Sequence, residues 1–471
     1  MPVSFCTFAH MSNIKPSLAK GTRDFSPQEM VKRNYIFDTV KAVFRKYGYA
    51  EIQTPSMENL STLTGKYGDE GDKLIFKILN SGDFLSKVKP DLLSQAHSNA
   101  ITSSISEKAL RYDLTVPFAR YVVMHQNEIS LPFKRFQVQP VWRADRPQKG
   151  RYREFYQCDV DVVGSDSLLN EAEFILIYQE ALSNLGLKDF TIKINNRKIL
   201  SGIAEVIGKP ELIIDMTVAI DKLDKIGLDG VIKELIERGF TEADIEQLRP
   251  VILLDGDNLQ KLESLKTVLS ASPAGMAGIA EIEKVFDYVA AMIKSDATLD
   301  PHVELDITLA RGLNYYTGCI FEVKTNEVAM GSIGGGGRYD DLTGMFGLKG
   351  LTGVGVSFGA DRIYDVLQEL NLFPESAAVG TTVLISNFDQ EAENYALPLL
   401  QQLRGSGVAA ELYPSSAKLK KQMSYADDKR IPYVILIGSE EMNSGMLTLK
   451  EMQSGNQQKL SAEEIITLLK K

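Results

Sequence analysis

The most informative stretch of this chain reads WRADRPQKGRYREFYQCD over residues 142–159. Between Lys134 and Arg153 there are seven Lys or Arg residues against one acidic residue, so the local charge is about +6, whereas the whole chain carries −10. Strand-like segments flank the basic run, at 133–141 and 155–163. The pattern predicts a long hairpin whose basic turn lies at the mouth of a pocket and binds a polyanion.

Length and composition place the chain among ordinary globular proteins of about three domains. It has 471 residues, of which 44% are hydrophobic and 24% are charged. No apolar run reaches the ~18 residues of a membrane span, so no membrane association is predicted. Cys6, Cys158 and Cys319 lie far apart, and the four histidines lack the spacing of zinc ligands. These features predict a cytoplasmic protein without a metal site built from His or Cys.

The character of the sequence changes three times along the chain. Helical periodicity without strand signals dominates from about 200 to 298, which predicts a helical insertion. Strand-like segments return between 303 and 358. After a linker that contains Pro374, the segment from 382 to 470 alternates strands and helices. This last pattern predicts a small α/β domain with a mainly parallel sheet.

Three arginines lie close to the ends of predicted strands or helices, at Arg143, Arg311 and Arg362. Each taken alone is typical of a solvated surface charge. A guanidinium fork, however, matches phosphate oxygens, and three of them in one cleft would bind a triphosphate. We therefore predict that these arginines converge on one nucleotide.

Four consecutive glycines occupy 334–337 and precede Arg338 and Tyr339. A Walker A loop would have Lys and Ser or Thr after its last glycine, so this is not a P-loop. A flexible loop or tight turn is one interpretation. The other is a bare backbone floor against which a flat substrate lies.

Polar residues at two further places favour a binding pocket. Asp113 and Thr115 follow a predicted strand, where such residues are also common as caps. Gln157 and Asp161 lie two pleat periods apart and share a strand face. A buried Asp that faces a pocket requires a cation or a hydrogen-bond donor.

Together these segments resemble the histidyl-tRNA synthetase family of class II aminoacyl-tRNA synthetases. The resemblance runs from about Lys20 to the C-terminus and is carried by three runs: 143–155, Arg311-Gly312-Leu313-Asn314-Tyr315-Tyr316, and Gly336-Gly337-Arg338-Tyr339-Asp340 leading to Arg362. It implies an α+β fold in which helices flank a six-stranded antiparallel catalytic sheet, with a helical insertion and a C-terminal α/β anticodon-binding domain. It also implies a homodimer, with the Thr54–Pro55 region at the interface.

The resemblance divides the chain into five segments: an N-terminal arm (1–19), the first part of the catalytic domain (20–199), the helical insertion (200–300), the second part of the catalytic domain (301–372) and the anticodon-binding domain (380–471).

The family's reaction, which the resemblance implies for this chain, activates L-histidine with ATP to histidyl-adenylate and transfers it to the 3′ end of histidine tRNA. ATP is a substrate, and Mg²⁺ accompanies it. The implied catalytic residues are Arg311 and Arg143. ATP would be bound by Arg143, Arg362, Thr115 and Arg311. Histidine would be bound by Asp113, Thr115, Gln157, Asp161, Tyr315, Tyr316 and Tyr339. The tRNA acceptor end would meet Arg146, Gln148, Lys149 and Arg151.

Two other interpretations remain open. One is a catalytically inactive regulatory paralogue, although such relatives generally lose the anticodon domain and several motif arginines, which this chain keeps. The other is a generic nucleotide-binding ligase, which leaves the basic hairpin unexplained. The chain also departs from the family pattern at Asn314, where an Asp is usual, and at Asp113 and Asp161, where many relatives have Glu.

Overall fold

The structure is a computed structural model that describes residues 15–94, 98–294, 299–310, 315–374 and 380–470. Arg311, Asn314 and most of the predicted N-terminal arm therefore lie outside the described residues. Within them the chain forms two compact units. One comprises the residues up to Arg23 together with Ile36–Leu372, and the other Asp24–Tyr35 together with Phe373–Lys471.

The strands of the described chain are, in order, β1 (Ala50–Glu51), β2 (Met57–Asn59), β3 (Lys77–Ile78), β4 (Lys108–Leu110), β5 (Phe133–Trp142), β6 (Glu154–Val163), β7 (Phe190–Asn196), β8 (Val303–Leu305), β9 (Cys319–Thr325), β10 (Gly334–Asp340), β11 (Thr352–Gly359), β12 (Val383–Ile385), β13 (Ala410–Leu412), β14 (Tyr433–Leu436), β15 (Leu447–Glu451) and β16 (Gln457–Leu460).

The α-helices of the described chain are α1 (Pro27–Lys46), α2 (Leu60–Leu63), α3 (Gly68–Lys73), α4 (Pro90–Ser94), α5 (Ser98–Ile105), α6 (Thr115–Met124), α7 (Leu169–Asn184), α8 (Arg197–Val206), α9 (Ile213–Ile220), α10 (Leu223–Glu237), α11 (Glu242–Ile252), α12 (Asn258–Val268), α13 (Pro273–Ile293), α14 (Ala360–Glu369), α15 (Gln390–Gly405), α16 (Leu419–Asp428), α17 (Ser439–Ser444) and α18 (Ala462–Leu469). None of them is both long and apolar enough to cross a membrane.

The first unit is built on an eight-stranded sheet in the order β1-β5-β6-β11-β10-β9-β7-β8. The six strands from β5 to β7 pair antiparallel throughout. The edge strands β1 and β8 pair parallel to β5 and β7. The expected six-stranded sheet is thus correct for the centre and wrong at the edges. There, strands of two or three residues carry too little pattern to be recognised in the sequence.

The basic hairpin is confirmed as the pair β5 and β6, which stays in register from Phe133 opposite Val163 to Trp142 opposite Glu154. Alternation decides which face is buried. On one face Phe136 and Val160 are fully buried, and Phe44 of α1 packs on Phe136 with 5.4 Å between ring centroids. The opposite face of β6 carries polar side chains. This alternation follows from the period of two along a strand.

A helical segment from α8 to α13 connects β7 to β8, as the periodicity predicted. Local caps start four of its helices, the first being α8, where the Asn196 side chain accepts from the backbone N–H of Lys198. Thr241 and Asp244 form a capping box before α11, and Asp257 and Gln260 form another before α12. Ser272 caps α13, where Pro273 occupies the first turn. Caps of this kind satisfy backbone N–H groups that have no partner within the helix.

The second unit contains a five-stranded sheet in the order β13-β12-β14-β15-β16. Strands β13, β12 and β14 are parallel, but β15 and β16 are antiparallel. The predicted parallel sheet is therefore correct for three of the five strands and wrong for the other two. The polar sequence of β16, Gln457 to Leu460, has no strand signal, and β15 recruits it by pairing.

Candidate functional site

The polar face of the central sheet carries one row of side chains that converge on a common space. Gln157, Asp159 and Asp161 alternate along β6 and project to the same side. Asp159 is directly opposite Ser357 of β11, and Ser357 is opposite Gly335 of β10. Polar side chains thus meet bare backbone on neighbouring strands.

The glycines at 334–337 form part of strand β10 between β9 and β11, so the loop interpretation is wrong. A Cβ atom at Gly337 would lie 2.7 Å from the Cys319 carbonyl oxygen. A Cβ atom at Gly355, which is opposite Gly337, would overlap Oδ1 of Asp161. Only glycine fits at these two positions, and the floor of the site is peptide backbone.

Two adjoining cavities lie over this floor. The first, of about 410 Å³, extends under the basic hairpin turn towards the start of α14. The second, of about 310 Å³, extends over the polar residues of β6. Both are lined by Arg143, Gln157, Ser332, Gly335 and Ser357. The two cavities therefore adjoin, and ligands bound in them would be neighbours.

Arg143 lies at the junction of the two cavities, directly after β5. Its guanidinium carbon is 4.3 Å from the ring centroid of Tyr112 and 5.2 Å from that of Phe155. Its Nε donates a hydrogen bond to the Tyr112 carbonyl oxygen at 3.1 Å. The two rings hold the guanidinium plane, and one edge of the fork remains directed at the cavities.

Arg362 lines the first cavity from α14. Its Nε donates to the carbonyl oxygen of Gly150 in the hairpin turn at 2.7 Å, and Nη1 donates to the carbonyl oxygen of Ser332. Arg143 and Arg362 thus line the same cavity. Arg311, the third arginine of the predicted group, lies outside the described residues.

Asp113 and Thr115 both line the second cavity, although strand β4 ends earlier, at Leu110, and Thr115 is the first residue of α6. The expected strand end is therefore a helix start. Oδ1 of Asp113 accepts from the backbone N–H of Val116 and from the Tyr67 hydroxyl, and Oδ2 accepts from the Tyr315 hydroxyl. Burial raises the pKa of Asp113, and these donors oppose that effect.

Asp161 lines the second cavity, and both of its carboxylate oxygens contact buried side chains of the protein. Oδ2 of Asp161 lies 2.8 Å from Nη2 of Arg135, and both side chains are buried. Oδ1 accepts a hydrogen bond from the Tyr339 hydroxyl at 2.8 Å. Burial raises the pKa of Asp161, and Arg135 opposes the rise. Tyr339 lies beneath this carboxylate and does not border either cavity, whereas Tyr315 and Tyr316 line the second cavity directly.

The four residues predicted to meet tRNA occupy the hairpin turn, where all are exposed. Arg151 also lines the first cavity and pairs with Asp145 at 3.3 Å. Lys149 pairs with Glu369 at 2.9 Å. The side chains of Arg146 and Gln148 belong to neither cavity's lining and are open to an external partner.

Sequence reasoning missed Asp159, Ser357 and Glu322, which all line the second cavity. Asp159 carried a signal, because it falls between Gln157 and Asp161 in the same alternating series. Glu322 carried none, because it comes to the site only through the pairing of β9 with β10.

Comparison with known proteins gives consistent matches. A family model described as histidyl-tRNA synthetase matches residues 21–96 and 102–363, and one described as anticodon binding domain matches 381–471. The chain is 58% identical to a histidine–tRNA ligase of Phocaeicola vulgatus and 59% identical to one of Christiangramia forsetii. Each match covers 97% of this chain and 99% of the relative. The crystal structure of histidyl-tRNA synthetase from Nostoc sp. PCC 7120 superposes with a TM-score of 0.81 at 31% identity, covering 97% of this chain and 100% of that chain.

Proposed function

This chain belongs to the histidyl-tRNA synthetase family, and from that premise we propose how its two cavities carry out the reaction. The protein activates L-histidine with ATP to histidyl-adenylate and transfers the histidyl group to the 3′ end of histidine tRNA. The regulatory alternative is not supported, because relatives that are 58% and 59% identical over 97% of this chain are histidine–tRNA ligases.

The observation that carries the proposed mechanism is the position of Arg143 where the two cavities meet. ATP would occupy the first cavity, and histidine the second. A carboxylate oxygen of histidine would then attack the α-phosphorus of ATP, and pyrophosphate would leave. Arg143 would neutralise the charge that develops on the α-phosphoryl oxygens, and Arg362 would hold the outer phosphates. We assign Arg311 the same charge-stabilising role as Arg143, as the family resemblance implies.

The second cavity offers polar groups for every part of histidine. We propose that Asp113 and Thr115 bind at the ammonium end, with Gln157 between the cavities. Asp161, Tyr315 and Tyr316 would surround the imidazole, which offers one donor and one acceptor when neutral. Tyr339 would act through Asp161, because its hydroxyl fixes one oxygen of that carboxylate.

We propose that Mg²⁺ accompanies the triphosphate, whose oxygens are ligands that this ion prefers. Glu322 lines the second cavity, which adjoins the one proposed for the nucleotide, and would supply a carboxylate ligand. Bound Mg²⁺ would neutralise phosphate charge, and the arginines would do so independently of it.

We propose the following domain boundaries: a catalytic domain from 20–199 and 301–372, a helical insertion from 200–300 and an anticodon-binding domain from 380–471. We further propose a homodimer that acts in the cytoplasm, where tRNA is charged for translation. The buried Arg111 donates to the carbonyl oxygens of Thr54 and Pro55 at 2.7 and 3.2 Å. These bonds hold the expected interface segment in one conformation.

The reaction is tested by ATP–pyrophosphate exchange against a panel of amino acids. We expect exchange with L-histidine and background rates with the other amino acids. A site that hydrogen-bonds both imidazole nitrogens rejects ligands that lack them. Exchange with another amino acid, or with none, would contradict the assignment.

The tRNA role of the hairpin turn is tested by the double variant Arg146→Ala, Gln148→Ala. We expect the KM for histidine tRNA in aminoacylation to rise by about tenfold, because one phosphate contact and one base-edge contact are lost. ATP–pyrophosphate exchange should remain at the wild-type rate. The exposed Lys188→Ala variant, on a loop outside the site, serves as the control. Equal effects on exchange and charging would place these residues in the adenylation site instead.

A further inference from the structure

We infer that Asp159 is a substrate-binding residue: its carboxylate, together with the Gln157 amide oxygen, binds the α-ammonium group of the amino acid. The inference rests on the proposed function, and it assigns a role to a side chain that the mechanism above does not use. Two buried acceptors that have no donor within the described chain support it.

Asp159 is 3% exposed and lines the second cavity. Its Oδ1 has no hydrogen-bond partner among the described residues, and the same holds for Oε1 of Gln157. Buried acceptors are nearly always paired, because an unpaired one forfeits its hydration without compensation. Two of them side by side on one strand face therefore point to a ligand with several N–H donors.

The orientation of both acceptors is set by Ser357. Nε2 of Gln157 donates to Oγ of Ser357 at 3.0 Å, which directs the Gln157 amide oxygen away from β11. Ser357 is also directly opposite Asp159 in the pairing of β11 with β6, and its side chain lowers the pKa of the Asp159 carboxyl. The hydroxyl can accept from one neighbour and donate to the other. One oxygen on each of Gln157 and Asp159 thus remains available to a ligand.

Two of the other three acids that line the cavity are already supplied with donors. Asp113 accepts three hydrogen bonds, and Asp161 is held by Arg135 and Tyr339. Asp159 alone of these three keeps a buried oxygen that is not paired by hydrogen bond or ion pair within the described chain. It is therefore the acid whose charge a bound cation would compensate best.

The charge of the cavity favours an ammonium over a neutral imidazole at this position. Among the described residues, four acids, Asp113, Asp159, Asp161 and Glu322, line the cavity against one arginine, Arg143. Burial raises the pKa of Asp159 to about 7, with Arg135 opposing and Asp161 adding to the rise. A carboxylate so desolvated gains more than an exposed one from a cationic partner. An α-ammonium group brings a full charge and three N–H donors, two of which suit Gln157 and Asp159, while the third is left for the Asp113 and Thr115 side of the same cavity.

The test compares L-histidine with 3-(imidazol-4-yl)propionate, which is histidine without its ammonium group. The KM for histidine and the inhibition constant of the analogue are measured in ATP–pyrophosphate exchange for the wild type, D159N and D159E. For D159N we expect the histidine KM to rise by about 10- to 100-fold, as for loss of a hydrogen bond to a charged group. The constant for the analogue should change less than about threefold, because it makes no contact that the substitution removes. D159E, which keeps the charge, should regain part of the discrimination.

Several results would overturn the inference. An unchanged histidine KM in D159N would remove Asp159 from the binding site. Equal weakening of histidine and analogue would move its contact to the imidazole or make its role structural. Binding of the analogue also reports whether the D159N cavity is folded, and Asp229→Asn, an exposed carboxylate in the helical insertion, controls for the charge change. Absence of histidine-dependent exchange in the wild type would contradict the proposed function itself. That outcome is distinct from a failure of the Asp159 inference, which shows only in the comparison of D159N with the wild type.

Discussion

Replacement of Arg143 with alanine is expected to lower the rate of histidine-dependent ATP–pyrophosphate exchange by about 10²- to 10³-fold. The reason is its position, because Arg143 is the only arginine that lines both cavities within the described chain. A donor held in advance at the reacting phosphate stabilises charge that exists only in the transition state. The expected loss is therefore mainly in kcat, with smaller changes in the KM for ATP and histidine.

The substitution Arg143→Lys sharpens this test, because it keeps the charge but loses the planar fork. The guanidinium is sandwiched near Tyr112 and Phe155, and an ammonium makes no comparable contact with two rings and a phosphate at once. We expect Arg143→Lys to remain at least tenfold impaired. Arg249→Ala, outside both cavities, is the matched control. Near-normal exchange in Arg143→Ala would exclude the proposed role.

Replacement of Arg338 with alanine is expected to destabilise the first unit by about 3–5 kcal/mol. Arg338 is buried and lies in the most glycine-rich part of the sequence, yet it points away from the cavities. Its Nε and Nη2 donate to the two oxygens of Glu171 at 2.6 and 2.8 Å. Without it, Glu171 is a buried charge lacking its cation.

The measurement is urea unfolding followed by the fluorescence of Trp142, the single tryptophan of the chain, which ends strand β5. Burial already raises the pKa of Glu171, and Arg338 opposes that rise. In Arg338→Ala the pKa therefore rises further, so the folded variant binds a proton more readily than the unfolded chain. The destabilisation should accordingly shrink as the pH falls.

A surface pair provides the contrast for this stability measurement. Arg249 and Glu246 form an ion pair at 3.0 Å on the exposed side of α11, and Arg249→Ala should cost less than about 1 kcal/mol. A loss of similar size in Arg338→Ala would mean that the buried pair adds little to stability. Full loss of exchange in a stable Arg338→Ala variant would instead indicate a catalytic role for this arginine.

The hairpin and the helical insertion could be predicted because their signals are local. Charge density and alternation lie within one segment for β5 and β6, and caps such as Thr241 lie within one turn of the helix they start. Both Arg143 and Arg362 line one cavity. The sequence pointed to this, because both residues lie near the ends of elements that the topology brings to one side of the sheet.

The remaining features depend on strand partners that are far apart in the sequence. Oδ1 of Asp159 has no hydrogen-bond partner within the described chain. The sequence could not predict this, because the neighbours of Asp159 are set by the pairing of β6 with β11, which places Ser357 opposite it. The engagement of Asp161 by Arg135 depends on the register of β5 against β6. Tyr339 illustrates the same limit, since the family resemblance implied a histidine-binding position and the strand register placed it beneath a carboxylate.

The run of glycines in β10 carries no side chains that could fix the register of that strand against its neighbours. A slip by one residue exchanges glycine for glycine at three of the four places, so the backbone pairing alone scarcely distinguishes the two alignments. What penalises the slip is the end of the run, because it would turn Arg338 towards the substrate floor and Tyr339 towards the hydrophobic layer. The buried contacts of Arg338 and Tyr339 therefore fix the register of β10 in the sheet. We expect a chain that lacks both side chains to form sheets with a shifted register during refolding.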